Sequence, residues 1–429
     1  MEPKRGEDVA IQSIRGMHDL YGAEMGAWSA VEKVVHKTFQ DFGYKEIRTP
    51  VLEKIEVFSQ TVGEDTDIVQ KQMYTIERSD EQLALRPEGT AAFVRAVIQH
   101  QLHRLPGAQR FYYYLPMYRY ERPQKGRQRQ FFQFGGELIN DASPEADAEI
   151  ITLLDQIYKA LGLSHYEVRI NTLGDSESRA AYRKALEEYF RPLLGELSED
   201  SKARFERAPM RILDSKHEAD QSAVQKAPRI GEYLTDFAKA HFESVKQRLN
   251  QAGVSFIVDP LIVRGLDYYS LTAFEFVSDQ LGAQSALGGG GRYDGLAERF
   301  GEKPIPAVGF ALGMERLMLA LEASQKMPKV PAGPFLYLAP LGAAAFERFY
   351  PLSLELKRHG LECELLYEKD KNLKWQLKQA NRCGAQYALL LGEEEVAKGV
   401  AVLKNMSDGG QKEIGLDRIV EQLKQVHST

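Results

Sequence analysis

The sequence has few of the features that place a protein in a membrane, a disulfide framework or a zinc site. Its 429 residues include two cysteines, Cys363 and Cys383, which form no CxxC pair and no Cys/His ligand spacing. No apolar run approaches the about 18 residues of a transmembrane helix, and the first residues contain no apolar signal core. We therefore expect free thiols, no protein-held structural metal, no membrane partner and a cytoplasmic location.

Motifs for several kinds of chemistry are missing as well. There is no GxxxxGK[ST] loop, no GxGxxG turn after a strand, and no Ser/His/Asp order or reactive-thiol pattern. The net charge is −6, so nucleic acid would have to bind through local basic patches rather than the whole surface. These absences favour chemistry that proceeds without a covalent enzyme intermediate.

The most distinctive stretch runs from Arg110 to Asn140 and predicts two strands joined by a Pro-Gln-Lys-Gly turn. Side chains alternate along a strand, which divides the second strand into two faces. One face would carry Arg127, Arg129, Phe131, Gln133 and Glu137. The other, apolar face would carry Phe132, Phe134 and Leu138. The cations of the hairpin are Arg119, Arg122, Lys125, Arg127 and Arg129.

Two interpretations of this charged face remain open. Burying many cations is costly without a partner, and a polyanion such as a triphosphate or nucleic acid supplies one. Alternatively, the hairpin is a solvated sheet edge whose charges block aggregation. The interleaving of Phe131 and Gln133 with the cations favours the binding face.

Hydrophobic periodicity predicts an α+β fold in which an antiparallel sheet is flanked by helices. Glu88 and Thr90 lie where a helix begins after a strand, and Arg316 lies in the first turn of a helix after Gly313. We expect these segments, the hairpin and RGLDYY (264–269) to meet on one sheet. Glu88 has a second interpretation, as a charge that stabilises the helix start.

Composition predicts three regions. Residues 1–325 contain the sheet, residues 176–258 form a charged helical insertion within it, and residues 330–429 form a small α/β domain after a Pro-rich linker. On one helix of the last domain, Lys374, Lys378 and Arg382 share a face, with Leu373 and Leu377 on the buried side. The basic row is either a nucleic-acid patch or an ordinary solvated face.

The residue types suggest roles before any family is considered. Phosphate oxygens suit the arginines Arg119, Arg127, Arg264 and Arg316. An ammonium and a carboxylate suit Glu88, Thr90 and Gln133, whereas a purine suits the ring of Phe131. A small polar ring suits Glu137, Tyr268 and Tyr269. This set fits displacement at phosphorus, driven by positioning and electrostatic stabilisation.

Three blocks resemble the motifs of class II aminoacyl-tRNA synthetases: GYKEIRTPVLE (43–53), MYRYERPQKGRQRQFFQFGGE (117–137) and PAVGFALGMERL (306–317). LRPEGT (85–90) and LIVRGLDYY (261–269) are similar to sequences specific to the histidyl-tRNA synthetase family. The HIGH and KMSKS sequences of class I are missing. The resemblance spans residues 12–425. It implies a class II catalytic domain with the insertion, followed by an anticodon-binding domain at 330–429.

By this resemblance the chain would activate L-histidine with ATP and Mg²⁺ to histidyl-adenylate, and would transfer histidine to the 3′ end of tRNA(His). The first motif implies a homodimer. Catalytic roles are implied for Arg119, Arg264 and Arg316. Histidine binding is implied for Glu88, Thr90, Arg119, Gln133, Glu137, Arg264, Tyr268, Tyr269 and Tyr293. ATP binding is implied for Arg119, Glu121, Arg127, Phe131 and Arg316. tRNA contacts are implied for Arg122, Gln124, Lys374, Lys378 and Arg382.

The sequence departs from the family pattern at three places. Phe132 stands where His is common, Gly301-Glu302 replaces a common Gly-Gly pair, and Ser270-Leu271 replaces an Asn-containing pair. Strand alternation places Phe132 on the core face, where little effect on catalysis is expected.

A second function remains open, the non-catalytic regulatory subunit of ATP phosphoribosyltransferase. Such subunits resemble the catalytic domain without the anticodon-binding domain. The three arginines with implied catalytic roles and the C-terminal domain favour the enzyme. A general nucleic-acid-binding module does not explain Glu88, Gln133 and Glu137.

Overall fold

The computed structural model describes residues 11–62, 66, 68–78, 80–263, 268–331, 333–369 and 371–428. The chain divides into two compact units, one of residues 1–20 and 28–328 and one of residues 21–27 and 329–429. The boundary after residue 328 lies inside the predicted linker. In the part of the chain that the structure describes, no helix has the length and apolar character needed to cross a bilayer.

The first part of the chain mixes helices and strands. Helices α1 to α9 are Gly22–Asp41, Glu56–Val62, Thr90–Gln99, Pro144–Ala160, Ser176–Phe190, Glu199–Phe205, Glu218–Lys226, Asp236–Gln251 and Met314–Ala323. Strands β1 to β11 are Lys45–Glu46, Leu52–Lys54, Thr75–Arg78, Glu81–Leu85, Gln109–Tyr118, Gln130–Ile139, Glu167–Thr172, Ile257–Val258, Ser270–Val277, Ala286–Arg292 and Ala307–Gly313. Short 3-10 turns include Pro209–Asp214, Asp279–Gln284 and Asp294–Phe300.

An eight-stranded sheet organises this unit, in the order β1-β5-β6-β11-β10-β9-β7-β8. The pairs from β5 to β7 are antiparallel, and the two outermost pairs are parallel. The α+β fold predicted from the sequence is confirmed. The predicted hairpin is β5 and β6, which pair along their whole length from Gln109↔Ile139 to Tyr118↔Gln130.

Helix α1 covers one face of the hairpin because its apolar residues recur at helical spacing. Val31, Val35 and Phe39 are fully buried, and the Phe39 ring stacks on Tyr112 of β5 at 4.5 Å. The centre of the Phe134 ring of β6 lies 6.2 Å from the centre of the Phe39 ring. Burial of these side chains holds one face of the sheet closed and leaves the other for polar residues.

Glycines let the central strands approach closely. A Cβ atom at Gly290 of β10 would lie 1.9 Å from the carbonyl oxygen of Gly309 on β11. A Cβ atom at Gly309 would lie 1.8 Å from Oε2 of Glu137, its partner on β6. The missing side chains therefore provide the space that the Glu137 carboxyl group occupies.

The helical segment 176–258 has a core of its own around Tyr182, Phe190 and Phe205. Asp220 is fully buried there and accepts hydrogen bonds from the hydroxyls of three serines at 2.5–2.7 Å. The last part of the segment is different, since α8 packs on α4 and β8 pairs with β7 of the main sheet. The end of the segment is therefore part of the main sheet and its helical cover.

The second unit is a smaller α/β structure. Helices α10 to α13 are Ala343–Arg358, Leu373–Arg382, Glu393–Lys398 and Ile419–Ser428. Strands β12 to β16 are Leu336–Pro340, Cys363–Glu364, Tyr387–Leu391, Val400–Asn405 and Gln411–Gly415. They form a sheet in the order β13-β12-β14-β15-β16, with α10 and α13 packed on one face and α11 on the other. Both cysteines are free thiols.

Helix α11 carries the predicted basic row. Lys374, Lys378 and Arg382 are all exposed. The prediction that Leu373 lies on the buried side is wrong, because this first residue of the helix is 41% exposed. Gln376 is buried in its place and bonds to the Tyr337 hydroxyl at 2.7 Å.

Candidate active site

A cavity of about 250 Å³ opens on the face of the main sheet opposite α1. It lies between β6, β9, β10 and β11 and the first turns of α3 and α9. Its lining includes these predicted site residues: Glu88, Thr90, Arg119, Glu121, Arg127, Phe131, Gln133, Tyr268, Tyr269, Tyr293 and Arg316. Residues from five separate segments of the sequence thus meet around one space, as expected from their types.

One end of the cavity is cationic. Arg119 donates from Nε to the carbonyl oxygen of Pro87 at 2.8 Å, which fixes its guanidinium group. Glu121 lies between two cations, 3.9 Å from Arg119 and 3.4 Å from Arg127. Burial lowers the pKa of Arg119, so an anion placed here would be strongly favoured.

Arg316 is the third residue of α9 and is held by backbone carbonyls from two other segments. Its Nε donates to Gly126 at 3.1 Å and its Nη1 to Ala286 at 3.0 Å. Burial, and then the nearby charge of Arg127, lower the pKa of Arg316. A cation at a helix start, in the same cavity as two further arginines, forms a site suited to phosphate groups.

The aromatic residues of β6 separate by face. Phe131 lines the cavity, and its ring lies 5.2 Å from the guanidinium carbon of Arg119. Phe132 lies on the other face, where its ring packs against Trp28 at 5.9 Å and Tyr114 at 5.5 Å. The core-face position predicted for Phe132 is therefore correct.

Arg129 does not belong to the cavity face, contrary to the prediction. Its guanidinium group stacks on the Tyr120 ring at 4.1 Å, and its Nε donates to the carbonyl oxygen of Glu121 at 3.2 Å. The reason is that β6 begins at Gln130, so strand alternation does not extend back to position 129.

Glu137 does not itself line the cavity: it is fully buried and reaches the other end only through Thr90 and Tyr293, which bond to it and do line the cavity. Its carboxyl group accepts hydrogen bonds from the hydroxyls of Tyr293 at 2.5 Å, Thr90 at 2.9 Å and Tyr113 at 3.3 Å. Burial raises the pKa of Glu137 to about 8, although these hydrogen bonds act in the opposite direction. The group can therefore exist in either protonation state near neutral pH.

Tyr113 is a site residue that the sequence analysis missed. Its ring lies where Cβ atoms at Gly89 and Gly135 would come within 2.3 and 2.1 Å of it. Two glycines from separate segments therefore admit the ring whose hydroxyl reaches Glu137. Alternation along β5 was an available signal, since Tyr113 is six residues before Arg119 and shares its parity.

Glu88 combines the two interpretations offered for it. Its carboxyl oxygens accept hydrogen bonds from the backbone N–H groups of Thr90 and Ala91, each at 2.8 Å, at the start of α3. The same side chain lines the cavity, and burial raises its pKa. Gln133 also lines the cavity, and among the described residues its buried Oε1 atom has no hydrogen-bond partner. This oxygen is available to a donor from a ligand.

Other predicted site residues lie elsewhere. Arg264 is outside the described residues. Arg122 and Gln124 are exposed in the loop between β5 and β6, beside the Lys125–Gly126 turn, and do not line the cavity. The basic row of α11 belongs to the second unit.

The departure at Leu271 has a structural consequence. Its φ is +47°, a conformation in which asparagine is far better tolerated than leucine. Leucine at this position therefore carries backbone strain.

Comparison with known proteins identifies the family. Residues 16–317 match the family model described as histidyl-tRNA synthetase, and residues 336–426 match the model described as anticodon binding domain. The chain belongs to the histidyl-tRNA synthetase family. The histidine–tRNA ligase of Desulforamulus reducens is 43% identical over 411 residues, which cover 96% of this chain and 98% of that protein. That of Bacillus subtilis is 44% identical over 414 residues, covering 96% and 97%.

Solved structures of the same family resemble this one. The crystal structure of apo Staphylococcus aureus histidyl-tRNA synthetase has a TM-score of 0.82 and 35% identity, and covers 97% of this chain and 100% of that chain. A Bacillus halodurans structure described as an ATP phosphoribosyltransferase regulatory subunit/histidyl-tRNA synthetase has a TM-score of 0.64 and 23% identity, covering 90% and 99%. That likeness shows the fold alone. The identity to the ligases favours the enzyme.

The raised pKa of Glu137 leads to a testable pH dependence. A buried acid whose pKa is raised stabilises the folded protein below about pH 4.5, and this contribution is lost as the pH rises through about 8. We expect the stability of the wild-type protein relative to a Glu137→Gln variant to fall over this range, by up to about 1.4 kcal/mol per pH unit. Urea unfolding at pH 5.5, 7 and 8.5 measures it. The exposed Glu196→Gln variant is the control, and parallel wild-type and Glu137→Gln curves would contradict the assignment.

Proposed function

We propose that this cavity joins L-histidine to ATP to form histidyl-adenylate, and that the histidyl group then passes to the 3′ end of tRNA(His). One observation carries the proposal. At one end the cavity is lined by Thr90 and Tyr293, whose hydroxyls bond to the buried acid Glu137, and at the other end it is lined by three arginines. An amino acid with a polar ring and a nucleotide triphosphate would therefore be held in line in one space.

The acid end suits imidazole. A neutral imidazole has one N–H donor and one acceptor nitrogen, and the carboxyl group of Glu137 with the hydroxyl of Tyr293 can match both. The rings of Tyr268 and Tyr269 lie 4.7 Å apart beside them, with Tyr268 5.9 Å from Tyr293. The free Oε1 atom of Gln133 would accept from the ammonium group of the amino acid.

The cationic end suits ATP. The ring of Phe131 would stack on adenine, Arg119 and Arg127 would contact the phosphates nearest the reacting carbon, and Arg316 would contact the far phosphate. Mg²⁺ supplies further charge neutralisation when it is bound with ATP. Among the described residues no group of three His, Cys, Asp or Glu side chains forms a metal site. Glu121 and Glu275 line the cavity, and a phosphate-bound Mg²⁺ needs only one or two such carboxylates.

The remaining partners belong to the same proposal. Arg122 and Gln124 would meet the acceptor end of tRNA, since they are exposed in the same loop as Gly126 and Arg127, which line the cavity. The second unit would bind the anticodon. A homodimer, formed through the segment 43–53, is supported by the exposed apolar side chains of Val51 and Leu52. A cytoplasmic location agrees with the two free thiols.

The proposal is tested by ATP–pyrophosphate exchange with each amino acid in turn. We expect exchange with histidine and a rate at least about 10⁴-fold lower with each of the others, because their side chains leave buried polar groups unpaired. Exchange with a different amino acid would overturn the proposal. Histidine binding without any exchange would instead favour the regulatory-subunit function.

Phe131 and Phe132 form a matched pair for testing the adenine contact. Phe131→Leu should raise the KM for ATP by about tenfold, since base stacking contributes about 1–3 kcal/mol, and should leave stability nearly unchanged. Phe132→Leu should lower the free energy of unfolding by about 1–2 kcal/mol, with little effect on the KM for ATP. Exchange kinetics and urea unfolding of both variants measure this. The reverse pattern would show that the faces are assigned wrongly.

The basic row of α11 generates a separate prediction. Lys374→Glu with Lys378→Glu should lower kcat/KM for tRNA charging by about tenfold or more, because phosphate contacts are lost, and should leave exchange unchanged. Lys357→Glu with Arg358→Glu makes the same charge change at the end of α10, on the opposite face of the sheet. That control should charge tRNA normally. Equal loss of charging and exchange in the α11 variant would contradict the division of labour between the units.

A further inference from the structure

Arg292, the last residue of β10, is a fully buried cation outside the cavity lining. Its Nη2 atom donates to Oδ2 of Asp147 at 2.6 Å, and its Nη1 atom donates to Oδ1 of Asp294 at 3.1 Å. The guanidinium group also donates to the carbonyl oxygens of Asp141 at 2.9 Å and Ser143 at 3.1 Å. A buried charge with partners on every side has a single arrangement and holds the segments around it in place.

Asp147 is itself fixed from a second direction. It is fully buried in the first turn of α4, and its Oδ2 atom lies 3.2 Å from Nε2 of His241 on α8. The charge of Arg292 and the hydrogen bond from His241 keep the pKa of Asp147 below its ordinary value despite burial. The aspartate therefore remains a charged acceptor between two helices and the end of a strand.

The residue that follows Arg292 is Tyr293, whose hydroxyl donates to Glu137 at 2.5 Å. Its backbone N–H donates to the carbonyl oxygen of Ala307 at 2.8 Å, and the next residue, Asp294, accepts from the N–H of Ala307 at 2.8 Å. The residues on both sides of Tyr293 are therefore fixed. Arg292 is held by its bond to Asp147, and Asp294 is held by its bond from Arg292. The Tyr293 side chain itself lines the cavity next to Glu137, where the imidazole ring is proposed to bind.

We propose that Asp147, Arg292 and Asp294 are positioning residues that set the affinity for the amino acid by holding the Tyr293 hydroxyl against Glu137. None of the three lines the cavity. This inference rests on the proposed function, because it assigns the slot at Glu137 to the side chain of histidine. The affinity for histidine would then depend on this buried ion network, whereas the affinity for ATP would not.

A merely structural network would behave differently. Its loss would lower the melting temperature and would leave the affinity of the remaining folded protein for histidine unchanged. A positioning network affects histidine selectively, because the cationic end is fixed by other contacts, from Arg119 to Pro87 and from Arg316 to Gly126. The ratio of the two substrate effects therefore separates the roles.

The experiment uses the full-length protein with the substitution Asp147→Asn, which keeps the side-chain shape and removes the charge. Calorimetric titration with L-histidine alone gives Kd, and pyrophosphate exchange gives the KM for each substrate. We expect the Kd for histidine to rise about tenfold, as for loss of one well-formed hydrogen bond, and the KM for ATP to stay within about twofold. A Kd for histidine within about twofold of wild type in the folded variant, or equal rises for both substrates, would overturn the proposal.

Two further variants complete the test. Asp294→Asn is the milder change, since this side chain is partly exposed, and it should raise the Kd for histidine about threefold. If Asp147→Asn does not fold, Asp294→Asn decides the question, and a Kd for histidine within about twofold of wild type would again overturn the proposal. Asp220→Asn makes the matched change at a buried aspartate of the helical segment and should alter neither substrate. Wild-type protein without histidine-dependent exchange would count against the proposed function, whereas active wild type with normal histidine binding in the variants would overturn the positioning role alone.

Discussion

The buried carboxyl group of Glu137 is the constraint on which the rest of the site depends. Removing an acid from water is costly unless hydrogen bonds replace the lost hydration. Three hydroxyl donors do so here, and each needs space next to a tightly paired strand. Glycine at position 309 provides that space for the acid itself. The central strands therefore accommodate a buried polar group on the face opposite their apolar packing.

A single strand relates the two ends of the cavity. Phe131, Gln133 and Glu137 point to the same face of β6, because they differ by even numbers of residues. Six residues of a strand span about 20 Å, which separates the ring next to the arginines from the acid among the hydroxyls. A ligand with a purine base at one end and a small ring at the other would therefore lie along β6, and the neighbouring strands would form the sides of its binding site.

How far the sequence predicts this site follows from the range of the interactions. Alternation along β6 placed Phe131, Gln133 and Glu137 correctly, because a strand imposes its parity locally. It failed at Arg129, where the chain had already left the strand, and the helical spacing of α11 failed at Leu373, the first residue of its helix.

Residues whose position depends on distant segments were harder to predict. The Tyr113 ring fits only because Gly89 and Gly135, from separate segments, both lack side chains. The partnership of Arg292 with Asp147 joins residues 145 positions apart. Nothing local in either segment marks such a pair. The overall α+β arrangement was predictable, because alternation and helical spacing are local patterns. The Tyr113 ring and the Arg292–Asp147 pair were not, because they depend on contacts between distant segments.

The same long-range contacts change how the helical segment is understood. Composition sets its limits at residues 176–258, but its last helix, α8, covers the main sheet through α4 and contacts Asp147 through His241. The helices before it pack around their own core near Tyr182 and Phe190. A displacement of the outer helices alone would leave the Arg292 network intact, whereas a displacement that carried α8 would act directly on Asp147. By its contacts, α8 therefore belongs with the main sheet, although composition groups it with the helices before it.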